Sequence, residues 1–186
     1  VSIFSNILDE LEILHLHSIP YEIVPGVSAA HGAAAYAGIP LTARDHSTAV
    51  RFLTLYKSDI ISDAYWIELA KTTDTLVFYM SAETLDLLIS RLIAQGIDKN
   101  TQIAVIEQAT TPLQNIYRSN IYQFSKEFAG QSFVSPSLVI IGKVVALNEQ
   151  FNWINNSGSK EYYFKPVASI GKTIDQHNKK KNAARA

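Results

Sequence analysis

The sequence predicts an α/β protein, and two observations carry that reading. Short β-rich runs alternate with segments whose apolar residues recur at helical spacing. The longest apolar run, over 138–147, is too short to span a membrane but suits a central strand buried on both faces. With 186 residues, 47% of them hydrophobic and 18% charged, the chain can bury a substantial core in one or two domains.

Over 6–17, Ile7, Leu11 and Leu14 share one helical face, with Asn6 as the expected N-cap and Asp9 in the first turn. Ser18, Ile19 and Pro20 stop that helix. Residues 21–24 read as a short strand, which Pro25 and Gly26 turn into a small-residue helix over 28–35. That helix is expected to end near Gly38 in the left-handed conformation. A strand over 51–56, a helix over 62–70 and a buried strand over 75–79 follow. Leu85, Leu88, Ile89 and Leu92 have helical spacing behind Ser81, the expected cap, and Gly96 closes their helix. Next come a strand over 102–106, a turn at Thr110, Thr111 and Pro112, a strand over 113–117, and the central strand over 138–147 carrying Gly142. Beyond Trp153 the composition turns to Asn, Ser, Gly and Lys and reaches Lys179, Lys180 and Lys181, which predicts a mobile tail over 154–186.

A formal net charge of -1 supplies no bulk field for nucleic acid or an anionic membrane, and neither is expected as a partner. The absence of cysteine removes disulfides, thiolate ligands and cysteine nucleophiles, and fits a reducing, cytoplasmic setting. No leader pattern is visible at the first residues. His15 and His17 stand two apart on a helix and point to different faces, so no metal is expected. Neither a serine-hydrolase elbow nor a phosphate-binding glycine loop is present.

In open α/β sheets, ligands bind beyond the carboxyl ends of strands. That rule selects Ser28 and Ala29, Met80 and Ser81, and residues 107–110. Small side chains there let a ligand approach the backbone, and a helix N-terminus offers free N–H donors. Met80, the only methionine, fills the core or packs on a flat ligand. Arg44 and Arg51 suit bidentate binding of carboxylates, although Arg44 could pair with Asp45 and Arg51 could lie on a solvated strand face.

Taken in order, the segments over 19–30, 35–45, 49–52, 75–80, 106–114 and 135–147, ending near Trp153, resemble uroporphyrinogen-III C-methyltransferases of the tetrapyrrole methylase family. The matching order spans about 150 residues and is more specific than any one motif. The resemblance implies the tetrapyrrole methylase fold, in which the end of an N-terminal Rossmann-like domain (1–27) precedes a C-terminal mixed-sheet α/β domain (28–153). It implies S-adenosylmethionine as cofactor and two methyl transfers to uroporphyrinogen III, giving precorrin-2 for sirohaem or cobalamin. A homodimer and a tetrapyrrole substrate are the implied partners. By position, cofactor contacts fall on Ile3, Ser28, Ala29, Met80 and Ala109, and substrate contacts on Arg44, Arg51 and Met80. No catalytic residue is assigned, because the family's acidic candidate for proton acceptor would precede Val1.

Departures from the family pattern mark what else is expected. The family's glycine-rich loop and a later Gly-Asp pair would also precede Val1, so the chain is expected to lack the N-terminal part and to be inactive alone. Phe4, Ser5, Asn6 and Ile7 stand where Phe-Gly-Arg-Gly is common. Ala43 and Tyr56 replace histidines and Ala109 replaces a glycine, which is mild if its φ is negative and a clash if not. Tyr56 bears most on substrate identity. A methylase of another corrinoid such as precorrin-4, and a non-catalytic tetrapyrrole-binding or dimerisation module, are the alternatives.

Overall fold

The computed structural model describes residues 3–55, 61–79 and 83–164. Its helices are α1 (Leu8–Leu16), α2 (Ala29–Tyr36), α3 (Asp63–Lys71), α4 (Leu85–Ala94), α5 (Phe124–Glu127) and α6 (Asn148–Phe151). The strands are β1 (Val50–Thr54), β2 (Thr75–Tyr79), β3 (Gln102–Glu107), β4 (Asn115–Asn120) and β5 (Ser137–Ile141), and a 3-10 helix covers Lys143–Leu147. They form one five-stranded sheet in the order β1-β2-β5-β3-β4. Only β1 and β2 run parallel; β5 is antiparallel to both neighbours, and β4 to β3. The expected mixed α/β class is therefore observed.

Alternation along the strands divides the core in two. Leu76, Phe78, Ile103, Val105, Val139 and Ile141 face one side and pack with Trp66 and Leu69 of α3 and Leu88 and Leu92 of α4. Val77, Ala104, Ile106, Leu138 and Ile140 face the other and pack with Ala30, Ala33 and Ala34 of α2 and Val144 and Val145 of the 3-10 helix. Both faces are covered, which is why these strands read as unbroken apolar runs. α4 buries Leu85, Leu88, Ile89 and Leu92, each contributing about 1.5–3 kcal/mol, whereas α1 buries no residue and contributes little.

Ser28 and Ser62 cap α2 and α3, their hydroxyls accepting from the backbone N–H of His31 and Tyr65. Several boundaries differ from expectation. Asn6 does not cap α1; Ile7 holds that position without a side-chain bond. Ser81 lies outside the described residues, and the N-cap position of α4 is Thr84. Residues 21–24 are extended but belong to no ladder among the described residues, and Tyr21, Ile23 and Val24 are exposed. β4 starts two residues later than the sequence suggests, because the N–H groups of Leu113 and Gln114 are taken by Thr111 Oγ1 and O.

The run over 138–147 is a strand only to Ile141. Gly142, with φ +144°, donates its N–H to Gln102 O at 2.9 Å, and the chain then folds back so that Val144 and Val145 are buried under the sheet. Apolar character persists because both halves are buried, so periodicity could not separate them. Within the segment from 154 onward, residues 156–163 make specific hydrogen bonds. Asn156 exchanges hydrogen bonds with the backbone N–H and C=O of Ile116, and Ser157 N donates to Gln114 O. Lys179, Lys180 and Lys181 lie outside the described residues.

Gly38 ends α2 as expected, with φ +61°. A Cβ there would come within 2.2 Å of Phe151 O. Gly38→Ala is therefore expected to cost about 2–4 kcal/mol from backbone strain and overlap. Urea unfolding measures this as a lower midpoint at unchanged slope; an unchanged midpoint would contradict the packing described.

Candidate active site

Because β5 runs against its neighbours, its first residues lie beside the carboxyl ends of β2 and β3: Leu138 pairs with Tyr79, and Ser137 with Glu107. A cavity of about 830 Å³ sits at this edge. One wall is the start of α2 with Val27, Ser28, Ala29, Gly32 and Ala33; the opposite wall is Ala109, Thr110 and residues 135–138. Leu55, Tyr79, Ile106, Glu83 and Thr84 complete it. Most of the lining is apolar with a few polar groups, as small-molecule sites are.

At the start of α2, Tyr79 Oη accepts from Ala30 N at 3.1 Å and Ser28 Oγ accepts from His31 N at 3.4 Å. Ser28 Oγ also lies 2.5 Å from His31 Nδ1. Ala29 N–H has no partner among the described residues, so one donor of the first turn remains for a ligand. On the same face, the rings of Phe4, Tyr79, Phe52 and His31 follow one another at centroid separations of 5.1, 6.2 and 6.0 Å.

The far wall is strained. Gln108 and Thr110 carry φ of +47° and +67°, unfavourable for non-glycine residues and most so for a β-branched threonine. Such strain costs about 1–3 kcal/mol per residue and persists only where surroundings enforce it. Here they do. Gln108 N donates to Pro136 O at 2.7 Å, its side-chain amide donates to Glu161 O at 2.9 Å, and its Oε1 accepts from Tyr163 N at 2.7 Å. Gln114 Oε1 accepts from Thr110 N at 3.0 Å. Ala109 between them is not in the left-handed region, so its methyl group carries no backbone penalty and the mild reading holds.

Directly behind this wall lies Glu107, whose side chain has no exposed surface. Its Oε1 accepts from Val134 N at 2.7 Å and pairs with Lys160 Nζ at 3.0 Å. Its Oε2 accepts from Tyr117 Oη at 3.3 Å and from Asn115 Nδ2 at 3.4 Å. Burial lowers the Lys160 pKa, but bonding to Tyr117 and Glu107 outweighs it, and the net direction is upward. A buried carboxylate needs such partners, since an uncompensated one costs several kcal/mol.

The expected site residues are only partly brought together. Ser28, Ala29 and Ala109 line the cavity, whereas Ile3 does not, although its neighbour Phe4 packs on Tyr79. Met80 and Tyr56 lie outside the described residues. Arg44 sits on an exposed turn, and its guanidinium has no ion pair or hydrogen bond among the described residues; the alternative pairing with Asp45 is not formed. It follows Thr42, which with His31 lines a second depression of about 620 Å³. Arg51 does not line the cavity: strand alternation places it on the α3 face, where it pairs with Glu68 and with Asp74 at 2.6 Å. Sequence reasoning missed Tyr79, Gly32 and the contacts of Glu107 and Gln108. Tyr79 ended a recognised strand, which was a usable signal; the contacts of residues 156–163, a strap across the ends of β3 and β4, had none. Among the described residues no group of three or more His, Asp or Glu is placed to hold a metal, and no helix is long and apolar enough to cross a membrane.

The family model described as Tetrapyrrole (Corrin/Porphyrin) Methylases matches residues 1–125. A siroheme synthase of Stutzerimonas stutzeri is 40% identical over 155 residues, covering 83% of this chain and 33% of that protein. A siroheme synthase of Nitrosospira multiformis is 40% identical over 157 residues, covering 84% and 33%. The chain thus spans about a third of the length of these curated relatives. Among solved structures, uroporphyrin-III-C-methyltransferase of Thermus thermophilus aligns with a TM-score of 0.66 and 27% identity, covering 81% of this chain and 63% of that one. A crystal of the same Thermus enzyme complexed with S-adenosyl homocysteine aligns with a TM-score of 0.62 at 24% identity, covering 78% and 63%. A cobalt precorrin-4 methyltransferase of cobalamin biosynthesis shares the fold, with a TM-score of 0.69 at 21% identity, covering 77% and 61%.

Asp74 offers a pH test of the Arg51 cluster. Its carboxyl is held below the usual range, first by the Arg51 hydrogen bond and then by Thr72, against the opposing effect of burial. The folded pKa is depressed, so this stabilisation is complete above the unfolded value of about 4 and is lost as pH falls from there through the lower folded value. The partners are partly exposed, so the loss is expected to be about 1 kcal/mol or less. In urea unfolding at neutral and acid pH, Asp74→Asn is expected to lose less stability on acidification than the parent. Equal losses would contradict the assignment.

Proposed function

The chain belongs to the tetrapyrrole methylase family, and from that premise we propose that it acts as an S-adenosylmethionine-dependent C-methyltransferase converting uroporphyrinogen III to precorrin-2. The observation that carries this reading is the cavity of about 830 Å³ at the strand ends, with Ser28, Ala29 and Ala109 in its walls. The family resemblance selects those three residues as cofactor contacts. The lining fits a nucleoside-sized ligand: it is largely apolar, offers the Ala29 N–H, which has no partner among the described residues, and meets no backbone penalty at Ala109.

S-adenosylmethionine, when bound, would supply an electrophilic sulfonium methyl group to an electron-rich pyrrole-type carbon, with S-adenosylhomocysteine as the leaving group and a proton lost from the ring system. The contribution of this chain is alignment and exclusion of water, and effective molarity accounts for much of the acceleration. Ala29 and Ala109 admit the ligand close to backbone, while Leu55, Ile106 and Leu138 keep the floor dry. Tyr79 fixes the start of α2 through Ala30 N. Met80, which follows Tyr79 in sequence, belongs to the same reading as a contact of both ligands, and Ile3 as a cofactor contact through the neighbourhood of Phe4.

On the substrate side, Arg44 offers a cation to a polycarboxylated tetrapyrrole; its guanidinium has no partner among the described residues and suits a carboxylate fork. Arg51 is not part of this proposal, because its guanidinium is already neutralised by Glu68 and Asp74. Action as a homodimer and the division at residues 27 and 153 belong to the same reading.

Incubation of the full-length gene product with uroporphyrinogen III and S-adenosylmethionine tests the proposal by product mass. Gain of two methyl groups is expected. Methylation only of a later corrinoid would overturn the substrate, and no methylation of any tetrapyrrole would overturn the activity. Ala109→Leu places a larger side chain in the cavity and is expected to weaken S-adenosylhomocysteine binding at least about tenfold, on the order of 1.4 kcal/mol. Calorimetry measures it; unchanged affinity would remove Ala109 from the site.

A further inference from the structure

Glu107 and Gln108 are the two polar side chains of the β3 end that are completely buried, and neither contacts the cavity directly. Both serve as junctions instead. Glu107 joins four chain segments: its own strand, Val134 just before the cavity wall, Asn115 and Tyr117 of β4, and Lys160. Gln108 joins the wall at Pro136 to Glu161 and Tyr163. Apart from those to Asn115 and Tyr117 of β4, these contacts end on residues 159–163 or on the 132–137 loop. Lys160 Nζ bridges the two, donating to Glu107 Oε1 at 3.0 Å and to Ser132 O at 3.2 Å, while its ammonium sits 4.7 Å from the Tyr117 ring centroid.

The consequence concerns the spacing of the cavity walls. Ala109 and Thr110 continue directly from Glu107 and Gln108, and Ser135, Pro136 and Ser137 continue directly from Val134. Their separation is set behind the cavity, by a carboxylate that accepts from one wall and is balanced by an ammonium on the strap. We propose that Lys160 is a positioning residue: through Glu107 it holds the 107–110 and 134–137 segments at the distance the cofactor requires, which makes the 156–163 strap a determinant of cofactor affinity. This rests on the reading of the cavity as the cofactor site.

The mechanism is electrostatic and geometric. Without the ammonium, the buried carboxylate keeps only neutral donors, and water or rearrangement must supply the balance. Either response displaces Val134 or Gln108, and with them a cavity wall. The strained Gln108 is the point most ready to move, because its φ of +47° is held by the same strap.

The test uses the full-length gene product and S-adenosylhomocysteine in titration calorimetry. Lys160→Met retains the apolar stem and removes the charge; the side chain is 45% exposed, so the variant is expected to fold. The account predicts at least tenfold weaker binding for K160M and recovery to within threefold of the parent for Lys160→Arg. The thermal midpoint is followed in parallel, because a merely structural role would lower it without changing the affinity of the folded protein. Should K160M fail to fold, Gln108→Leu, which cuts the strap from the wall, is held to the same tenfold criterion. Affinity within twofold of the parent overturns the proposal, as does a loss that arginine does not reverse. If the parent itself does not bind S-adenosylhomocysteine, the reading of the cavity fails instead.

Discussion

The direction of β5 is the constraint on which the rest of the structure depends. This strand is central in the sheet and runs against both neighbours, so its first residues meet the carboxyl ends of β2 and β3. In a wholly parallel sheet that edge would carry only outgoing loops; here an incoming segment, 132–137, forms a second wall. The cavity is a product of that reversal. Its opposite wall comes from α2, whose alanines let the helix lie close to Val77, Ala104 and Ile140. Gly32 continues the approach, since a Cβ there would stand 3.3 Å from Thr110 Cγ2. The sheet thus fixes the floor, α2 one side, and the reversed strand the other.

The wall built from residues 108–110 is held against its own preference. Two positive φ values in three residues would relax in an isolated loop, at a gain of about 1–3 kcal/mol each. What opposes relaxation is a set of hydrogen bonds to fully buried side chains, reinforced by one ion pair. Burying Glu107 is itself unfavourable, so the ion pair serves arrangement more than net stability. Strain of this kind gathers where a backbone must face a ligand, and its position here agrees with the small residue at Ala109.

Much of the fold is legible in local sequence pattern. The buried strand at 75–79, the helix carrying Leu85, Leu88, Ile89 and Leu92, and the left-handed stop at Gly38 follow from local pattern, and each is observed. Failures arose where tertiary contacts override pattern. Residues 21–24 have strand-like composition but no ladder neighbour among the described residues, and 143–147 are as apolar as the strand before them yet form a 3-10 helix. Ser28, Ala29 and Ala109, selected by the rule of strand ends together with family resemblance, line the cavity. Arg51 does not, because strand alternation and the pairing with Asp74 turn it to the other face. The strap was invisible for a plainer reason: Asn, Ser, Gly and Lys read as a solvated tail unless their partners, Asn115, Glu107 and Gln108, are known.

We propose the edge formed by β2, β3 and the start of β5 as the cofactor site. A crystal structure of the full-length gene product with S-adenosylhomocysteine tests it most directly. The account predicts ligand density between the first turn of α2 and Ala109, with a polar ligand atom within hydrogen-bond distance of Ala29 N. Density elsewhere, with Ala29 and Ala109 untouched, would contradict it.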